Sequence, residues 1–207
     1  MKKEKILEAA EELFAEKGYE GTSVRDIAQK ADVNIAMISY YFGSKEKLLE
    51  ALIEENSEYT TGILQEISTS KTLDPWQKLD SIVDHYVDRI IGKYKYHNIM
   101  SRQISLIQDK HLQDKMIAIK MKNRGVVHDL IINGQKAGLF RKVDVELTLA
   151  SLIGTISQAT MSRAFYIKAL ELKEDISQDA YFQKIKPLLK KHLKSMLRAH
   201  LDIKNDQ

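Results

Sequence analysis

Two prolines and nine glycines are the only strong helix breakers in 207 residues. Between them, apolar residues recur every three or four positions. A proline removes a backbone donor and a glycine adds chain entropy, so a chain with so few of either is free to form long helices. No stretch alternates apolar and polar residues as a half-buried strand does, and there is no internal repeat or low-complexity tract. The fold class is therefore read as all-α, with nine to ten helices: an N-terminal three-helix head followed by a larger helical body.

The breakers place the helices. Residues 3–17 carry Ile6, Ala10, Leu13 and Phe14 on one face and stop at Gly18. Thr22 or Ser23 caps the next helix, Ser23 with Asp26 matching a capping box, and Val24, Ile27, Ala28 and Ala31 form its inner stripe. Asp32-Val33-Asn34 interrupts the pattern, and Asn34 suits the cap of a third helix over 35–42 that Gly43 ends. Ser44 opens a long helix over 44–68. Asp74-Pro75 starts another, lined by Leu79, Ile82, Val83, Tyr86 and Ile90, with a break at Gly92. Helices over 96–108, 112–137, 144–170 and 178–203 follow, the last divided or kinked at Pro187.

Composition narrows the class of function. Apolar residues make up 43% of the chain, enough for an ordinary core, and there is no cysteine for a disulfide or thiolate metal site. No apolar run approaches the ~20 residues that span a bilayer. Glutamates interrupt the N-terminal segment where a signal peptide needs an unbroken apolar stretch, so a cytoplasmic protein is expected. The net charge is +3, yet residues 1–50 hold eight Lys/Arg against ten Asp/Glu, a balance of −2. If this segment meets DNA, the acids of its first helix (Glu4, Glu8, Glu11, Glu12, Glu16) must face away from the duplex.

The second and third helices are joined by a turn of about three residues, the helix-turn-helix arrangement whose second helix enters a major groove. Ile38 and Phe42 can pack inward with Val33, which leaves Ile35, Met37, Tyr40 and Tyr41 without an inward face. Such a short helix, apolar all round, is either buried on every side or pressed against a partner, and periodicity leaves both open.

The run from Thr22 to Leu52, TSVRDIAQKADVNIAMISYYFGSKEKLLEAL, resembles the DNA-binding motif of TetR-family regulators. The resemblance rests on Ile27-Ala28, Ala31, Val33, Tyr41-Phe42 and Ser44 to Leu49, and the preceding segment matches through Gly18-Tyr19. It implies a DNA-binding domain over 1–48 and an effector-binding and dimerisation domain over 49–207. It also implies a homodimer that sets one head on each half of a palindromic operator, and a small-molecule effector that releases a repressor. Three positions depart from the family pattern: Asp32 replaces a common glycine, Met37 a threonine or serine, and Ser39 a tyrosine. Aspartate tolerates a left-handed turn better than most residues.

Reach and chemistry assign roles within this motif. Lys45, in the first turn of its helix, suits a phosphate, as do the hydroxyls of Thr22 and Tyr41. Arg25 is the motif's one arginine and suits a bidentate contact to guanine, while Ala36, Met37 and Tyr40 suit thymine methyl groups. Asn34, Ile35 and Ser39 complete the DNA-facing set. In the body the resemblance places the pocket among Tyr59, Tyr86, Arg89, Met100, Gln103, Met121, Met161 and Phe165, although such a stripe also suits plain core.

Dimerisation by the last two long helices finds small residues at Ala150, Gly154, Ser157 and Ala164, and an apolar stripe at Leu189, Leu193, Met196, Leu197 and Leu201. That stripe can equally face the chain's own core. The lysines at 184, 186, 190, 191 and 194 read as a solvated face. No metal or cofactor site is expected from six scattered histidines, even with Asp84, His85 and Asp88 on one turn, and no catalytic motif marks an enzyme. Two alternatives stay open: a DNA binder that is constitutive or controlled by a protein partner, and an all-α binding protein or enzyme whose head only looks like a DNA reader.

Overall fold

The computed structural model describes residues 2–102 and 110–205, with side chains at all but 100–102 and 205. In chain order the helices are α1 (Lys2–Lys17), α2 (Val24–Lys30), α3 (Ile35–Phe42), α4 (Lys45–Thr69), α5 (Pro75–Gly92), α6 (Tyr94–Arg102), α7 (Lys110–Lys136), α8 (Val145–Met161), α9 (Arg163–Ala169) and α10 (Gln178–Leu201). A short 3-10 turn, Ile203–Asn205, follows. Among the described residues there is no strand, as the sequence predicts. No described helix is long and apolar enough to cross a membrane.

Contacts divide the chain into two units, residues 1–60 with 93–121, and residues 61–92 with 122–207. In the first, the predicted stripes close on one another. Ile6, Ala10, Leu13 and Phe14 of α1, Ile27 and Ala28 of α2, Ile38 and Phe42 of α3 and Leu48, Leu49 and Leu52 of α4 are buried together, with Val24 and Val33 packed against them. Ile99 of α6 and Leu112 and Met116 of α7 join the same cluster, so the three-helix head is completed by residues far along the chain.

The second unit is built on α5 and α10. α5 buries Leu79, Ile82, Val83, Val87, Ile90 and Ile91, and α10 buries Tyr181, Phe182, Ile185, Leu189, Leu193, Leu197 and Leu201. Beside this seam runs a ladder of ion pairs: Asp80 with Arg198 (2.7 Å), Asp84 with Lys194 (2.7 Å), and Asp88 with Lys190 (2.8 Å) and Lys186 (2.9 Å). Three of the five lysines read as a solvated face are thus rungs of this ladder. The aspartates recur every four residues on α5 and meet cations spaced four apart on α10. Each exposed rung adds little alone, but the row fixes which turn of one helix faces which turn of the other.

Two sequence expectations change here. The helix predicted over 144–170 breaks at Ser162, whose ψ of 39° is not helical, into α8 and α9. Along α8, Thr148, Ser151, Thr155 and Thr160 each turn a hydroxyl back onto the preceding helical turn, which weakens helix propagation. Arg163 then ties the start of α9 to the Ile176 carbonyl. Conversely, Pro187 does not divide α10, which is continuous from Gln178 to Leu201. Pro187 and Gln183, whose carbonyl loses its partner, are both exposed, so water can satisfy it.

Candidate nucleic-acid interface

The loop between α1 and α2 is built from side chains that bond inward. Thr22 is 1% exposed; its hydroxyl donates to the Gly18 carbonyl (2.8 Å), with the Leu13 carbonyl 3.2 Å away. Ser23, not Thr22, is therefore the cap of α2. Its hydroxyl accepts from the Asp26 amide (3.1 Å) while the Asp26 carboxylate accepts from the Ser23 amide (2.9 Å). The Ser23 hydroxyl and amide together hold Asp26 below the usual carboxylate range. The expectation that the Thr22 hydroxyl faces DNA is corrected: it holds the loop that delivers Ser23.

The turn between α2 and α3 follows its sequence signals. Asp32 adopts φ +52°, the left-handed conformation that an aspartate accepts in place of glycine. The Asn34 side chain accepts from the Ala36 amide at 2.8 Å and caps α3. Gly43, at φ +83°, ends it.

On α3 the two open readings separate. Ile38 and Phe42 are buried, but Tyr40 is 81% exposed and Ile35 43%. Ala36, Ser39 and Tyr41 are exposed too, as are Asn34 and, on α2, Arg25. Met37 is half-buried against the core cluster. α3 is therefore not a helix buried on every side. It presents one continuous face of apolar and hydroxyl-bearing groups, with the Tyr40 and Tyr41 rings edge to face 5.2 Å apart.

Lys45 is placed differently from expectation. Its ammonium donates to the carbonyls of Tyr19 (3.0 Å) and Thr22 (3.1 Å) and lies 4.2 Å from the Tyr19 ring centroid. The neighbouring Glu46 accepts from the Tyr19 hydroxyl at 3.2 Å. Its own backbone N–H, the Ser44 hydroxyl and that of Tyr19 keep it below the usual range.

The acids of α1 are offset from a distance. Glu12 pairs with Lys30 (2.9 Å) and Lys95 (3.2 Å), and Glu11 with Lys93 (3.6 Å). On α4, Glu50 and Glu54 share Lys115 at 3.2 and 2.6 Å. Lys93, Lys95 and Lys115 lie outside residues 1–50, so the charge balance of that segment understates the cations available to its unit. The signal is absent from any local window, because the partners are up to 83 residues apart.

The eight body residues are divided between the two units. Tyr59, Met100 and Met121 belong to the first unit, and Tyr86, Arg89, Met161 and Phe165 to the second. Gln103 lies outside the described residues, as does the side chain of Met100. Tyr59, Met121 and Phe165 are more than half exposed. Tyr86, Arg89 and Met161 are half-buried, and burial pushes the Tyr86 phenol up to about 12. No described group of three or more His, Asp or Glu is arranged to hold a metal ion. Asp84 and Asp88 are instead rungs of the α5–α10 ladder.

The arrangement of α2, turn and α3 is shared with known proteins. The pattern of bacterial regulatory proteins of the tetR family matches residues 6–52, and that of the tetracyclin repressor-like C-terminal domain matches residues 72–161. The HTH-type transcriptional repressor NicS of Pseudomonas putida is 32% identical over 154 residues, 73% of this chain and 71% of that protein. This chain belongs to the TetR family. The probable HTH-type transcriptional regulator YttP of Bacillus subtilis is 29% identical over 192 residues, 89% of this chain and 90% of that one. The ketosteroid transcriptional regulator KstR2 of Mycobacterium tuberculosis has the same fold, with a TM-score of 0.75 over 98% of this chain and 95% of that chain at 18% identity. FadR of Bacillus subtilis, solved in complex with stearoyl-CoA, gives 0.67 over 90% and 96% at 21% identity. This TetR-family chain is a DNA-binding transcriptional regulator.

Proposed function

We propose that the chain is a cytoplasmic repressor that binds a palindromic operator as a homodimer and is released by a small, mostly apolar effector. The observation that carries the reading is the exposed face of α3. Ile35, Ala36, Ser39, Tyr40 and Tyr41 offer methyl, ring and hydroxyl contacts to base edges and backbone, and Arg25 on α2 offers the bidentate donor for a guanine. With no cation on α3, discrimination leans on Arg25, on thymine methyl groups and on DNA shape.

The dimer reading keeps the small residues of α8 but not the leucine stripe of α10. Leu189, Leu193, Leu197 and Leu201 of α10 are buried in the chain's own core. What remains available is Leu147 (66% exposed), Ala150 and Gly154 on α8, Phe165 (64%) on α9 and Leu188 on α10. Exposed leucine and phenylalanine beside small residues suit a two-fold contact between copies.

The effector reading is supported by Tyr86, Arg89 and Met161, half-buried on α5 and α8, which pack together in the second unit. Two related regulators are described by fatty-acyl and ketosteroid ligands or pathways, which favours an apolar effector with one polar end. The test is selection of duplexes from a random library by the full chain, then release of the selected duplex by acyl-CoA thioesters or steroids. A palindrome whose half-sites lie about one helical turn apart is expected. Enrichment of no sequence would remove the reading.

A further inference from the structure

We infer that Lys45 is a positioning residue, a latch between the first turn of α4 and the start of α2, and that it contributes to operator binding through geometry more than through charge. The inference rests on the DNA-binding reading for its consequence, but the latch itself is a property of the chain without DNA.

An ammonium has three N–H donors. Two of those of Lys45 go to the Tyr19 and Thr22 carbonyls, at 3.0 and 3.1 Å. Its stem and charge lie against the face of Tyr19, 4.2 Å from the ring centroid. That ring is itself fixed: it is buried, 5.3 Å from Phe14, and its hydroxyl donates to Glu46. Charge-assisted bonds to carbonyls are among the stronger ones, so swinging the ammonium out to a distant phosphate would break two of them. Only the third N–H is open to a phosphate, and only where the ammonium already stands.

The position of the bonds gives the latch its meaning. Thr22 immediately precedes Ser23, the cap of α2, and Arg25 is the second residue of that helix. α4 is continuous from Lys45 to Thr69, crossing from the first unit into the second. A rotation of α4 therefore carries the Tyr19–Thr22 carbonyls with it and changes where Arg25 is aimed. The apolar core and the Tyr19–Glu46 bond also join α4 to this region, but Lys45 is the tie that grips the backbone directly before Ser23.

The test begins with the wild-type chain free of DNA, labelled with nitrogen-15 at lysine. The Lys45 ammonium should exchange its protons with water well over tenfold more slowly than exposed lysines, as a doubly bonded cation does. Exchange as fast as that of the exposed lysines would overturn the latch, whatever the chain binds. Lys45→Met is then compared with Lys45→Arg on the selected duplex and on a random one. Loss of the latch should weaken the selected duplex about tenfold or more and the random duplex far less, with the salt slope unchanged. Lys45→Arg, whose guanidinium can donate to both carbonyls, should restore most of the discrimination. Equal weakening on both duplexes, with the slope falling by roughly one per subunit, would make Lys45 a phosphate anchor instead. If Lys45→Met does not fold, the exchange measurement still decides.

Discussion

At Gly134 in α7 an added Cβ would lie 2.1 Å from the Phe140 ring, whereas at Gly62 in α4 nothing stands within 4 Å. Phe140 is buried, and its ring meets Trp76 edge to face at 4.7 Å, so it has nowhere to retreat. Replacing a helical glycine by alanine ordinarily stabilises by about 0.5–1 kcal/mol. Gly62→Ala should show that gain, while Gly134→Ala should destabilise by roughly 1–2 kcal/mol, overpacking outweighing propensity. Urea or thermal unfolding of the two variants checks this, and a gain at both positions would contradict the packing of Phe140. Signals of this size are legible in sequence only where the cause is local. Asp32 in its left-handed turn, Ser23 facing Asp26 and Asn34 before α3 are all decided within four residues. The inward turn of Thr22 and the carbonyl partners of Lys45, 23 and 26 residues away, are decided by tertiary packing.

Among the elements, α10 shows what periodicity leaves undecided. Its leucine stripe was compatible with a partner copy or with the chain's own core, since both require the same spacing. α5 settles the matter by covering that stripe, and the aspartates at 80, 84 and 88 pin Arg198 and the lysines beside it. The opposite case is Gly154 on α8, which is exposed and has open space where a side chain would be. Among the described residues no contact requires glycine there, so the constraint, if the α8 face meets a second copy, lies in close approach of the partner helix. Gly154→Arg should then leave the helical content and thermal unfolding of the chain little changed while shifting its mass by light scattering from about twice the 23.8 kDa of one chain to that of one. A variant that stays dimeric would move the interface away from this part of α8. The boundaries of α2, α3, α4 and α5 were legible from caps and breakers. The break at Ser162 and the survival of Pro187 were not: the first goes with Arg163 reaching the Ile176 carbonyl, the second with Pro187 and Gln183 facing solvent.

At the scale of the whole molecule, α4 begins in the unit that carries α3 and ends in the other, as α7 also does. Its 25 residues give a length of roughly 37 Å. A helix shared in this way lets occupancy of the second unit bias the first, provided the effector binds one arrangement of the chain more tightly than another. The size of the bias follows from thermodynamics and needs no account of the path. If a compound that releases the selected duplex weakens it about a hundredfold, corresponding to ~2.7 kcal/mol of coupling, saturating duplex must weaken that compound by the same factor. The measurement is a calorimetric titration of the full chain with the compound, with and without the duplex. With wild type, the two affinities should differ by the factor seen in release. With Lys45→Met, the latch between α4 and the start of α2 is gone, and the same pair of titrations should show coupling reduced severalfold while the compound's affinity for the free chain is unchanged. Equal affinities with and without duplex in the wild-type chain would rule out effector-driven release and leave a constitutive repressor or one controlled by a protein partner. Full coupling retained in Lys45→Met would keep effector control but route it past the latch.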